Sequence, residues 1–75
     1  MIIYRRIRDL REDADLTQEY MAKKLSCSQQ AYSFYELGQR DIPTDVLIRL
    51  ARFHGTSTDF LLGLTEVSEA YPRIK

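Results

Sequence analysis

Gln29 and Gln30 stand side by side behind a serine in the stretch Ser28 to Gly38, SQQAYSFYELG. A glutamine amide presents a donor and an acceptor together, and that pattern complements the N6/N7 edge of adenine in the DNA major groove. Ser28 is a good helix cap, so the pair belongs on the first turn of a helix. Ser33 and Phe34 follow further along, and an aromatic ring can pack against a thymine methyl. By residue type alone, two solvated glutamines are an equal reading of the same pair.

Other chemistries are poorly supported. Cys27 is the single cysteine and His54 the single histidine, and a zinc site needs about four ligands. The two fall on different predicted elements, with no third partner spaced for a catalytic triad. Ser33 has no general base suggested nearby. The three glycines all suit helix ends, which leaves no glycine-rich loop to cradle a phosphate. The expectation is a protein that is not an enzyme, with no metal and no cofactor. His54 then reads as a core histidine and Cys27 as a small hydrophobe.

These candidate residues must be held by a small scaffold. The chain has 75 residues, enough for one domain with a thin core. No apolar run approaches the ~20 residues of a membrane span, and MIIYRRIRDL lacks a signal-peptide core. A lone cysteine forms no internal disulfide, which fits the reducing cytosol. No membrane association is expected, and a nucleoid-associated, cytoplasmic location is. Lysine plus arginine and aspartate plus glutamate each number 11, giving zero net charge. That balance counts mildly against a nucleic-acid partner. Arg5, Arg6, Arg8 and Arg11 cluster at the start among Asp9, Glu12, Asp13 and Asp15. The cluster reads equally as a phosphate-binding stripe or as a solvated face of mixed charge.

Apolar residues recur at helical spacing, without strand-like alternation, so the chain reads as all-α. A first helix is expected from about Ile3 to Ala14, with Ile3, Ile7 and Leu10 on one side and Leu16 closing the turn. Thr17 caps a second, Gln18 to Leu25, with Met21, Ala22 and Leu25 inward. Ser28 caps a third, Gln29 to about Leu37, which stops at Gly38. A fourth runs from about Thr44 to His54, with Leu47, Leu50 and Ala51 inward. Thr56 or Ser57 caps a short fifth ending in FLLG. Residues 1–63 form the domain; residues 64–75 read as a tail ordered by a partner.

The second and third helices, joined by about three residues, have the helix-turn-helix arrangement. With the stretches LTQEYMAKKLSCSQQAYSFYELGQRDIP and LIRLARFHGTSTDFLLG, the sequence resembles the Cro and lambda-repressor-like helix-turn-helix proteins over about Ile7 to Gly63. The resemblance implies five helices, sequence-specific binding to double-stranded DNA, and a repressor-like transcriptional regulator of bacterial or phage type. It also tips Gln29 and Gln30 towards base contact. It further implies a pairing of Arg11 with Glu36 that holds Arg11 near a phosphate. Ser26 departs from the pattern, standing where the turn usually has glycine. A positive φ there costs serine about 1 kcal/mol.

On a wheel at 100° per residue, Tyr32 and Tyr35 fall on the side of Ser28 and Ala31, as core candidates. Gln29, Gln30, Ser33, Phe34 and Leu37 fall opposite. Gln29, Gln30, Ser33 and Phe34 are the expected base readers; Gln18, Ser28, Arg11 and Arg40 are the expected phosphate contacts. Phe34 and Leu37 also form an apolar pair, and the alternative is a protein-interaction module that binds a protein partner through them. Phe60, Leu61, Leu62 and Leu64 exceed what one short helix buries, which predicts a homodimer through that surface.

Overall fold

Three hydroxyl side chains begin three of the helices. In the computed structural model, which describes residues 4–72, Thr17 Oγ1 accepts a hydrogen bond from the Tyr20 N–H. Ser28 Oγ accepts from the Ala31 N–H and Ser57 Oγ from the Phe60 N–H, each at 3.0 Å. Each oxygen takes up a backbone donor that the first helical turn leaves unpaired. The helices are α1 (Arg5–Asp13), α2 (Gln18–Lys24), α3 (Gln29–Leu37), α4 (Thr44–His54) and α5 (Thr58–Leu61). All five expected helices form, and no strand occurs among the described residues.

The differences from the expected spans are small. Ala14 and Leu25 are the residues after α1 and α2 rather than their last turns. Ser57, of the two candidates, caps α5, which ends at Leu61. Ile3, expected in the core, lies outside the described residues.

The core is Ile7, Met21, Ala22, Leu25, Tyr32, Tyr35, Val46, Leu50, Ala51 and Leu61. Both tyrosines of α3 point inward, as the wheel requires. Small Ala22 is buried on α2, which packs on α3. On α4 the buried residues are Val46, Leu50 and Ala51. Leu47, expected inward, is only partly buried against the core. Val46 and Leu50 are four apart and so lie one above the other on the same face.

Two arginines lock the frame from outside the core. Arg49 on α4 donates to the Lys24 and Leu25 carbonyls at 2.8 and 3.1 Å. It thereby satisfies the C-terminal carbonyls of α2, next to the turn of the helix-turn-helix. Arg6 on α1 donates to the Phe60 and Thr65 carbonyls, pairs with Glu66 at 3.1 Å, and lies 4.0 Å above the Phe60 ring. Tyr71 donates to Asp59 Oδ2 at 2.7 Å. Thr65, Glu66 and Tyr71, beyond Gly63, are thus tied to α1 and α5 within the chain itself.

Candidate DNA-reading surface

The turn between α2 and α3 sets the angle at which α3 is presented. Ser26 occupies it with φ 56°, in the left-handed region, so the strain expected for a non-glycine residue is present. Asp15, between α1 and α2, has φ 57°; nothing in its sequence context had singled it out. Cys27, half-buried, packs against the core, and burial pushes its thiol up, away from the reactive thiolate.

A buried polar cluster fixes α3 from below. Glu36 is 3% exposed. Its Oε2 accepts from Arg11 Nε at 2.7 Å, and its Oε1 accepts from Arg11 Nη2 at 3.2 Å and Gln18 Nε2 at 3.1 Å. Arg11 Nη1 donates to the Leu16 carbonyl at 2.8 Å. One carboxylate therefore joins α1, α2 and α3. Burial pushes the Glu36 carboxyl up, but the hydrogen bonds from Arg11 and Gln18, with the Tyr32 hydroxyl close by, outweigh it and hold it below its ordinary value. The hydrogen bonds that Arg11 donates to Glu36 likewise raise Arg11, against its own partial burial. The fully buried Tyr32 hydroxyl makes no hydrogen bond among the described residues; burial first, then the neighbouring carboxylate, raises it and keeps it protonated.

This cluster contains two residues of the expected site, Arg11 and Gln18. The Arg11 guanidinium donates to Glu36 and to the Leu16 carbonyl, so it positions α3, and 12% of its side chain stays exposed. Among the described residues Gln18, at the start of α2, uses only one Nε2 N–H, on Glu36, and its carbonyl oxygen and other N–H have no partner. Ser28 is exposed, and its hydroxyl hydrogen stays free because the oxygen acts as acceptor.

Gln29 and Gln30 are both exposed on the first turn of α3. Ser33 is half-buried one turn further on. Phe34, expected on the open face, is also half-buried, with the Arg40 guanidinium carbon 5.1 Å from its ring centre. Leu37 is exposed beside Arg5 and Arg8, around a shallow cleft of 280 Å³. The Phe34–Leu37 apolar pair is therefore narrower than expected. The early arginine cluster is divided: Arg6 is tied to α5, Arg8 pairs with Glu12 at 3.4 Å, and Arg11 is interior. Of the four, only Arg5 has neither a hydrogen bond nor an ion pair among the described residues, so no continuous basic stripe forms.

The surface expected to pair two copies is also revised. Leu61 is 1% exposed and belongs to the core, which removes it from any interface. Phe60 and Leu62 are half-buried, and Leu64 is 73% exposed. Half-buried His54 carries an unpartnered Nε2, and burial lowers its tendency to protonate. Among the described residues no helix is long and apolar enough to cross a membrane.

A family model described as helix-turn-helix matches residues 7–61. Three regulators of Bacillus subtilis (strain 168) are similar. The HTH-type transcriptional regulator ImmR is 39% identical over 69 residues, covering 92% of this chain and 54% of that protein. The uncharacterized HTH-type transcriptional regulator YobD is 39% identical over 61 residues, covering 81% and 54%. The SPbeta prophage-derived uncharacterized HTH-type transcriptional regulator YonR is 35% identical over 57 residues, covering 76% and 53%. The chain spans about half the length of these relatives. From Ile7 through Leu61 its five helices, its capped turn and its matched residues are those of one family, and the chain belongs to the Cro and lambda-repressor-like helix-turn-helix proteins.

Proposed function

We propose that the chain is the sequence-specific double-stranded DNA-binding part of a repressor-like transcriptional regulator, acting at the nucleoid. The observation that carries this is the exposed Gln29–Gln30 pair on the capped first turn of α3, with α3 held to α1 and α2 through Glu36. The naming of the similar proteins as transcriptional regulators supports it. In this reading Gln29, Gln30 and Ser33 meet base edges, while Gln18, Ser28 and Arg40 meet phosphates.

The protein works as a homodimer in the same reading. One unit with zero net charge covers too little groove for tight binding. Two units related by a two-fold axis read half-sites about 34 Å apart. Phe60, Leu62 and Leu64 are the residues offered to the second copy. The test is selection of bound duplexes from a random pool. Recovery of one two-fold-related site supports the reading. Recovery of no common sequence, together with capture of a protein through the Leu37 face, replaces it with the interaction-module reading.

A further inference from the structure

We infer that Phe34 acts through Arg40: its ring holds the Arg40 guanidinium at the wall of the major groove, where Arg40 meets a phosphate, an inference that rests on the duplex-binding reading above. Gly38 ends α3 with φ 72°, a left-handed conformation that glycine adopts without strain. The Gln39 N–H then donates back to the Phe34 carbonyl at 2.9 Å. The chain is thereby folded across Phe34, and Arg40 arrives with its guanidinium carbon 5.1 Å from the ring centre. That lies within the ~6 Å range of cation–π attraction. Arg40 is exposed and forms no ion pair among the described residues.

The length of α3 places this pair. Its 9 residues span about 13 Å at ~1.5 Å per residue, against a major groove about 12 Å wide. With Gln29 and Gln30 over base edges, a residue just beyond the far end of α3 reaches the sugar–phosphate wall. A guanidinium held over a ring by cation–π attraction uses none of its N–H groups there, so they stay free to donate to an anion. A ring covered by a cation is correspondingly a poor partner for a thymine methyl. Phe34 is therefore a positioning residue, and the contact to DNA belongs to Arg40.

The experiment is a double-mutant cycle on the duplex selected from the random pool, with affinity measured against salt. Arg40→Ala reduces the slope of log affinity against log salt by about one, the loss of one phosphate contact. Phe34→Leu weakens binding roughly 3- to 10-fold, because a freed arginine must be ordered on binding. It has no further effect once Arg40 is alanine. Phe34→Tyr, which keeps the ring, binds like wild type. Should Phe34→Leu fail to fold, Arg40→Lys carries the test: lysine keeps the charge but cannot stack flat, so binding weakens. Additive losses at the two positions overturn the inference, as does a Phe34→Leu effect limited to duplexes with thymine at one position. Unchanged binding in Phe34→Leu, or in Arg40→Lys where that variant is used, also overturns it. A wild-type protein that binds no duplex in the pool overturns the duplex-binding reading itself, and this inference with it.

Discussion

Arg11 and Glu36 meet through two hydrogen bonds, Nε to Oε2 at 2.7 Å and Nη2 to Oε1 at 3.2 Å, with only 12% and 1% of their side chains exposed. The pair joins α1 to α3 from beneath, and Gln18 adds α2 through the same carboxylate. The orientation of the exposed face of α3 therefore depends on a single buried acid.

Glu36→Ala strands the Arg11 guanidinium without its carboxylate. The expected cost is about 2–4 kcal/mol of folding stability, well above the ~0.5 kcal/mol of an exposed pair. Urea unfolding of Arg11→Ala, Glu36→Ala and the double variant measures the coupling. Strictly additive losses would remove the pair as the lock on α3.

The same carboxylate gives stability a pH dependence. Its folded value lies below the ordinary 4.5, so the unfolded chain takes up the proton first as acid is added. Its contribution is complete above about pH 5 and is lost as the pH falls through the lower folded value. Thermal unfolding of wild type should fall more steeply below pH 5 than that of Glu36→Gln, which has nothing to titrate there. Parallel curves would show that Glu36 is not the group responsible.

Ser26 holds φ 56° in the turn between α2 and α3. Ser26→Gly removes the steric penalty of that conformation and should raise stability by about 1 kcal/mol at most, partly offset by the greater freedom of glycine when unfolded. Differential scanning calorimetry reads this as a higher midpoint. A lower midpoint would mean that the serine side chain contributes something the strain does not outweigh.

Much of the frame was legible because its rules are local. Thr17, Ser28 and Ser57 cap helices through bonds to residues three positions on, and Tyr32 and Tyr35 follow from helical spacing alone. Arg6 and Arg49 were not legible. Each donates to carbonyls brought near only by the packed fold, and no sequence spacing marks such an acceptor. Helical spacing puts Phe34 on the open side of α3, yet it is half-buried, because a helical wheel ends at Gly38 and cannot show Arg40 lying over the ring. The count of apolar residues in a short helix puts Leu61 and Leu64 alike on an outer surface; the fold buries Leu61 and leaves Leu64 exposed. The Arg11–Glu36 pairing follows from the family resemblance, whereas the further bonds of Arg11 to the Leu16 carbonyl and of Gln18 to the same carboxylate needed the structure.

Gln29→Ala and Gln30→Ala, each titrated by fluorescence anisotropy against the selected duplex and an unrelated duplex of equal length, test most directly whether α3 reads bases. Each variant should lose roughly 1–3 kcal/mol on the selected site and almost nothing on the unrelated one, since base contacts specify and phosphate contacts do not. Equal binding of wild type and both variants to the selected site would contradict base reading by this pair.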